Sequence, residues 1–236
     1  MTAFVTVVVG AKVKVWAGIT MRKTILAGSH VVLLLSLLFA SCSQSDAPPQ
    51  EPTPSVSAFR GSVLSQPIAA TDFTLTDQHG QPFRLSEQRG KVVLLFFGYT
   101  SCPDVCPTTL SAWKRVHEEL GDEAERVRFV FVTVDPERDT PERLGLHVDL
   151  FNSDFVPVQG GFVALTGTPD ELEPIYEAYG VYYEKVETPG SALGYLVNHT
   201  SSGYVIDPQG NWRLRHAFGT VSADIAYDIR ELLKGD

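Results

Sequence analysis

Residues 91–107, KVVLLFFGYTSCPDVCP, contain an apolar run of strand length from Lys91 to Phe97, followed by a loop with two cysteines. Such a continuous apolar run is typical of a central strand that is covered on both faces. A helix is predicted from about Pro107, because apolar side chains then recur every three or four residues, at Leu110, Trp113, Val116 and Leu120. The cysteines therefore lie where a central strand gives way to a helix, the end of an open sheet at which ligands usually bind.

The elements on either side of this stretch predict the fold class. Alternation and turn residues predict an N-terminal β-hairpin at 73–76 and 82–85. Further strands are predicted at 129–134, 162–165, 181–186, 203–206 and 212–218, and helices from about 140, at 169–178 and at 222–233. This order is typical of an α/β, thioredoxin-like fold with a central mixed β-sheet flanked by helices.

Composition sets the domain organisation. The chain has 236 residues, of which 44% are apolar and 20% charged, and this excludes disorder of the whole chain. Residues 67–236 contain no internal repeat and are predicted to form one domain. Residues 42–66 are polar and proline-rich at their start and are predicted to be a tether. The net charge of −9 argues against a nucleic-acid partner, because phosphate binding needs a basic surface.

Residues 1–41 contain no acidic side chain and predict a signal peptide. Met21 is the expected start, since Arg22 and Lys23 then form a basic region ahead of the apolar run that ends at Ala40. That run is shorter than the roughly 20 residues of a spanning helix, so a permanent transmembrane anchor is the weaker interpretation.

Residues 38–42, LFASC, resemble the lipobox of bacterial lipoproteins, in which the cysteine is acylated. The alternative is an ordinary cleavage site with an incidental Cys42. Acyl chains on Cys42 would hold the protein on a membrane. The expected location is therefore outside the cytoplasm, anchored to the cell membrane, where thiols tend to oxidise.

Cys102 and Cys106 are the candidate reactive groups. If both were helical, their Cβ atoms would lie about 5–6 Å apart; if the helix starts at Pro107, Cys106 is the N-cap and Cys102 lies in the loop. In either case the helix N-terminus favours thiolate over thiol. The pair is suited to binding a soft metal or to exchanging disulfides. A structural disulfide is the alternative, although a bridge across so short a loop removes little entropy from the unfolded chain.

Several segments together resemble the Sco/SenC family: FFGYT at 96–100, CPDVCP at 102–107, VDPERDTPE at 134–142, and NH at 198–199 followed by IDP at 206–208. The resemblance covers residues from about 70 to 220. It implies a thioredoxin-like fold and a copper site of two cysteines and one histidine, used in building the binuclear copper centre of cytochrome c oxidase. Carried over by position, the copper ligands are Cys102, Cys106 and His199.

The residues around His199 support the third ligand separately. Thioredoxin-type reductases usually place a cis-proline before the hairpin strand that faces their cysteines, whereas residues 197–202 contain no proline. Two thiolates and an imidazole suit copper, while zinc usually takes a fourth protein ligand in a structural site. Ser101 and Asn198 stand where many family members have histidine and aspartate, and an aspartate beside the ligand could orient the imidazole.

Two functions from different classes follow. The first is a copper metallochaperone, with the apo copper subunit of cytochrome c oxidase and a thiol reductant as partners. The second is a membrane-anchored thiol-disulfide oxidoreductase acting on exported proteins, so whether the protein is an enzyme stays open. His199 discriminates them, because disulfide exchange does not need it. A peroxiredoxin is disfavoured, because Tyr99 and Pro103 stand where threonine or serine normally precedes the peroxidatic cysteine.

The remaining polar and aromatic residues receive structural roles. Asp135 and Asp139 are predicted to serve a turn and a helix cap. The other histidines of the domain are predicted to lie at the surface: His79, His117, His147 and His216. Four tyrosines are predicted to pack a helix against the sheet: Tyr176, Tyr179, Tyr182 and Tyr183.

Overall fold

The structure of the protein is a computed structural model that describes residues 58–152 and 162–235. Its strands are β1 (Ser62–Ala69), β2 (Thr74–Asp77), β3 (Pro82–Arg84), β4 (Val92–Gly98), β5 (Val127–Thr133), β6 (Phe162–Thr166), β7 (Tyr183–Glu187), β8 (Tyr195–His199), β9 (Gly203–Ile206) and β10 (Asn211–His216). Its α-helices are α1 (Val105–Leu120), α2 (Pro141–Asn152), α3 (Pro169–Tyr179) and α4 (Ser222–Lys234).

The predicted signal peptide at 1–41, the lipobox ending at Cys42 and residues 43–57 of the predicted tether lie outside the described residues. Within the described residues, none of the helices has both the length and the apolar character needed to cross a membrane.

Eight strands form one mixed sheet in the order β1-β10-β9-β4-β5-β6-β2-β3. The three central strands β4, β5 and β6 are parallel, and the remaining neighbours pair antiparallel. All seven residues of β4 are buried, as expected of a strand that is covered on both faces. The mixed sheet and its flanking helices confirm the predicted α/β, thioredoxin-like fold class.

Neighbouring aromatic residues of β4 face opposite sides of the sheet, as the strand period of two requires. Phe96 packs against Trp113 of α1, with ring centroids 6.0 Å apart. Phe97 packs against Tyr176 and Tyr179 of α3, at 6.1 and 5.7 Å. The strand that precedes the cysteines is therefore fixed from both faces by helices.

The tyrosine prediction is correct for the two tyrosines of α3 and wrong for the two that follow this helix. Tyr176 and Tyr179 are buried, whereas Tyr182 and Tyr183 are 60% and 37% exposed. The reason is that β7, which contains Tyr183, lies outside the main sheet and pairs with β8 in a separate two-stranded sheet.

Two strands had no clear signal in the sequence. β1 begins at Ser62, inside the segment 42–66 that was predicted to be a tether, and most of its side chains are exposed because it is an edge strand paired with β10. β8 is the second, and its residues show neither clean alternation nor a continuous apolar run. Both strands depend on partners that are distant in the sequence.

Candidate metal centre

Three side chains converge at the carboxyl end of β4. Cys102 lies in the loop that follows β4, Cys106 lies in the first turn of α1, and His199 is the last residue of β8. Their two sulfur atoms and one ring nitrogen all lie within 4.8 Å of one another. Cys106 Sγ lies 3.5 Å from His199 Nε2. The Cys106 backbone N–H donates a hydrogen bond to Cys102 Sγ at 3.4 Å. The structure thus brings together the three residues that the sequence predicts as ligands.

Helix α1 begins two residues earlier than the sequence predicted. Its first residue is Val105 and its N-cap is Asp104, so Cys106 is helical and is not the cap. Pro107 does not mark the first residue of the helix. The N–H groups of the first helical turn have no hydrogen-bond partner within the helix, so proline, which lacks this group, is tolerated anywhere in that turn. The helix N-terminus therefore places its partial positive charge beside both sulfurs.

The two thiols differ in exposure. Cys106 is fully buried and Cys102 is partly exposed, so solvent reaches the site from the Cys102 side. Gly98 makes room for the buried thiol, since a Cβ atom at this position would lie 2.8 Å from Cys106 Sγ. Both cysteines are free thiols, so the structure shows no disulfide between them.

The two thiols also differ in acidity. A hydrogen bond from the Cys106 thiol, together with further bonds from the backbone N–H groups of Asp104 and Cys106, holds the pKa of Cys102 far below its usual range, against the effect of burial. Burial, together with the neighbouring Cys102 sulfur, raises the pKa of Cys106 well above its usual range. The two thiols are therefore unequal, and thiolate is favoured at the more exposed sulfur, that of Cys102.

The tautomer of His199 suits a metal ligand. Its Nδ1 lies 3.0 Å from the carbonyl oxygen of Thr200, and a carbonyl only accepts hydrogen bonds, so Nδ1 carries the proton. The lone pair is then on Nε2, the atom that faces Cys106 Sγ. A metal-ligating histidine usually donates its other N–H in this way. The Phe96 and Tyr99 rings stand edge-on to the imidazole at 5.9 and 5.8 Å and limit its rotation.

The two departures from the family pattern have little contact with the ligand atoms. Ser101 Oγ accepts a hydrogen bond from Arg143 Nη2 at 3.0 Å. Asn198 is exposed on β8. The imidazole of His199 is oriented by the carbonyl of Thr200, so this role does not need a carboxylate at position 198.

The loop after β5 contacts the cysteine loop through Asp139, a contact that the sequence did not predict. Asp139 accepts hydrogen bonds from the Thr100 N–H at 3.0 Å, from Thr100 Oγ1 at 2.6 Å and from Thr133 Oγ1 at 2.6 Å. The predicted capping role of Asp139 is wrong, because Thr140 Oγ1 accepts the bond from Arg143 N–H at the start of α2. The sequence indicated a turn with two aspartates, but it did not indicate that Thr100 is a hydrogen-bond partner of Asp139.

The other histidines stand apart from this site. Among the described residues, Cys102, Cys106 and His199 form the one group of three or more such side chains that could hold a metal ion. His79 is exposed as predicted, but His147 and His216 are buried and His117 is half-buried, so the surface prediction is wrong for these three. The physical reasons are a hydrogen bond between His216 and Asp228 at 2.7 Å and ring packing of His147 and His117 against the sheet.

Comparisons with known proteins show the family to which this chain belongs. The sequence model of the SCO1/SenC family matches residues 63–234. An SCO2-like protein of Rickettsia prowazekii is 34% identical over 164 residues, which cover 70% of this chain and 75% of that protein. The apo Sco1 solution structure from Thermus thermophilus is 39% identical, with a TM-score of 0.62, covering 76% of this chain and 99% of that one. The copper-bound ScoI structure from Bradyrhizobium japonicum is 35% identical, with a TM-score of 0.59, covering 70% and 99%. The chain therefore belongs to the SCO1/SenC family.

Proposed function

We propose that this protein binds one copper ion through Cys102 Sγ, Cys106 Sγ and His199 Nε2 and delivers it during assembly of the binuclear copper centre of cytochrome c oxidase. The observation that carries the proposal is the convergence of these three donor atoms within 4.8 Å. The copper bound in the Bradyrhizobium relative supports the choice of metal. The oxidase as recipient is what family membership implies.

The donor set suits copper in both of its oxidation states. Copper(I) favours soft sulfur ligands and low coordination numbers, which the two thiolates provide, while imidazole nitrogen suits copper(II). The lowered pKa of Cys102 favours its thiolate form, whereas Cys106, whose pKa is raised, must lose its proton when the metal binds. The lone pair of His199 Nε2 is available without any change of tautomer.

The acidity difference between the thiols favours a second candidate function, thiol-disulfide exchange. The exposed Cys102 thiolate would attack a disulfide of an exported protein and release one of its thiolates. The Cys106 sulfur, once deprotonated, would then attack Cys102 Sγ of the mixed disulfide, leaving the substrate reduced and this protein oxidised. Nothing in these steps uses His199, so the two functions separate at this residue.

Location and partners belong to the same proposal. We infer export to the outer side of the membrane, with a lipid anchor at Cys42, a thiol reductant that keeps the cysteine pair reduced, and the apo copper subunit of the oxidase as the recipient. The proline-rich segment 42–57 between anchor and domain supports this arrangement. Mass spectrometry of membrane-extracted protein tests the anchor: an acylated N-terminus at Cys42 is expected, and an unmodified one contradicts it.

Copper titration of the reduced protein tests the function. We expect one copper per chain in the wild type and loss of tight binding in Cys102→Ala and Cys106→Ala. His199→Ala should keep copper(I) on the two thiolates and bind copper(II) poorly. His79→Ala is the matched control, because this histidine is exposed in the β2–β3 turn. Unchanged copper(II) spectra in His199→Ala, or full disulfide reductase activity with no copper binding in the wild type, would contradict the metallochaperone role.

A further inference from the structure

The position of His199 relative to the thiols is not set by a shared sheet. Cys102 and Cys106 follow β4, the central strand of the eight-stranded sheet, whereas β8, which ends at His199, pairs with β7 in a separate two-stranded sheet. No backbone ladder therefore joins the imidazole to the element that carries the thiols. The chain ties the end of β8 to the main sheet, because Gly203, four residues after His199, pairs with Phe96 of β4. Side-chain contacts hold the start of β8 and the rest of the β7–β8 hairpin.

Arg138, in the loop after β5, supplies the most extensive of these contacts. Its Nη1 donates hydrogen bonds to the carbonyl oxygens of Leu193 and Tyr195, both at 3.0 Å. Its guanidinium carbon lies 3.7 Å from the centre of the Tyr195 ring. Its Nε donates to the fully buried Asp135, which fixes the plane of the guanidinium. The Arg138 side chain thus holds the start of β8 through two hydrogen bonds to backbone carbonyls and one contact with an aromatic ring.

Two further hydrogen bonds join the hairpin to the same region. Tyr195 Oη donates to Asp135 Oδ1 at 2.7 Å. The Val197 N–H donates to Tyr99 Oη at 3.2 Å, and the Tyr99 ring lies 5.7 Å from the Arg138 guanidinium carbon. Lys185 of β7 also forms an exposed ion pair with Glu137 of the loop after β5, but exposed ion pairs contribute little to stability.

The same loop holds the thiol side through different atoms. Asp139 accepts two hydrogen bonds from Thr100, two residues before Cys102, and a third from Thr133 of β5. These three bonds do not involve Arg138. Removing the guanidinium should therefore loosen the start of β8 and leave the cysteine loop where it is.

We propose that Arg138 is a positioning residue of the metal site, which sets the distance between His199 Nε2 and the two sulfurs by holding β8 against the loop after β5. The inference rests on the proposed copper binding and names the residue that makes the third ligand available. Loss of Arg138 reproduces the loss of the imidazole. Copper(II), which needs the nitrogen ligand, is affected more than copper(I), which the two thiolates retain.

The test compares arginine variants in the reduced full-length protein. Arg138→Met removes the charge and all donors, and Arg138→Lys keeps the charge but cannot reach Asp135 and two carbonyls in one fixed plane. Arg213→Met is the matched control. Like Arg138, Arg213 of β10 pairs with a buried aspartate, Asp207, at 3.1 Å, and its guanidinium carbon lies 5.9 Å from the centre of an aromatic ring, that of Phe59. Copper(II) binding is followed by visible absorption and electron paramagnetic resonance, copper(I) binding by chelator competition, and folding by circular dichroism.

We expect both Arg138 variants to lose about 10- to 100-fold in copper(II) affinity and to show the copper(II) spectra of His199→Ala, while copper(I) stoichiometry stays at one. The Arg213 variant should give wild-type spectra. Wild-type copper(II) spectra and affinity in folded Arg138→Lys, or in folded Arg138→Met, would overturn the proposal. So would an equal loss of both oxidation states, which indicates a merely structural role. If wild-type protein binds no copper, the proposed function itself fails.

Discussion

Gly98 lies between the hydrophobic core and the proposed metal site. A Cβ atom there would lie 2.7 Å from the Phe96 ring, 2.8 Å from Cys106 Sγ and 2.9 Å from the Phe131 ring. All three atoms belong to buried side chains that have no free space to move into. Gly98→Ala should therefore lower the free energy of unfolding by about 1–3 kcal/mol and displace the Cys106 sulfur, which weakens copper binding.

Urea unfolding and copper titration measure both effects of Gly98→Ala. Gly145→Ala is the matched control, because Gly145 lies in α2 and its added Cβ would meet only one atom, at 3.7 Å. The control should be neutral or more stable, since alanine favours a helix over glycine by up to about 1 kcal/mol. Equal stability and copper affinity in Gly98→Ala and wild type would show that the close approach is not needed.

The three side chains that converge at the candidate site could be predicted from the sequence, whereas the contacts that position them could not. Cys102 and Cys106 are four residues apart, and His199 occurs in a motif with its own neighbours, so each had a local signal. Arg138 and Asp139 also lie in a motif, but a sequence does not show which distant atoms a side chain contacts. Their contacts with the cysteine loop and with β8 are made to residues 39 to 57 positions away in the chain.

The loop between β4 and α1 is the element in which oxidation competes with copper binding. The two sulfurs lie within 4.8 Å and both are free thiols. A disulfide between Cys102 and Cys106 would release two protons, pass two electrons to an oxidant and remove both thiolates from the ligand set. We expect the oxidised protein to take up no tightly bound copper, and the protein reduced again to take up one ion.

Thiol counting before each titration establishes the redox state. Cys42→Ser provides the matched protein, because it leaves the site pair as the chain's remaining cysteines and removes intermolecular bridges through Cys42. Equal copper uptake in the oxidised and reduced states, with the pair verified as a disulfide in one of them, would mean that binding does not depend on these thiols.

Elements with local signals were predicted well, and elements that depend on distant partners were not. β9 has the predicted bounds, and α4 begins at the predicted residue, because turn residues and apolar spacing mark them. α1 begins at Val105 and not at Pro107, because proline is compatible with the whole first turn. β8 is a strand because it pairs with β7, and a segment of five residues does not reveal that contact.

At the scale of the whole molecule, Asp228 of α4 connects residues 60–61, which precede β1, to the core. Its two carboxylate oxygens accept hydrogen bonds from the backbone N–H groups of Arg60 and Gly61, at 2.6 and 2.8 Å, and pair with His216 Nε2 at 2.7 Å. Asp228 is fully buried, so its removal leaves these donors without an acceptor.

Asp228→Ala should lower the free energy of unfolding by about 3 kcal/mol while copper stoichiometry stays at one, because the ligands make none of their hydrogen bonds to this residue. Urea unfolding measures the change. Asp224→Ala, in the first turn of the same helix, is the control and should cost no more than about 1 kcal/mol. If Asp228→Ala lowered the free energy of unfolding by less than the control does, the buried carboxylate would not hold residues 60–61 in place.

The central claim is that one copper ion is held by two sulfurs and one imidazole nitrogen from three separate elements of the fold. X-ray absorption at the copper edge, on the reduced full-length protein loaded with one equivalent of copper, observes these ligand atoms directly. The account predicts two sulfur ligands and one histidine nitrogen in the wild type, and two sulfurs without the histidine in His199→Ala loaded with copper(I). A first shell without sulfur, or a histidine signal that persists in His199→Ala, would contradict it.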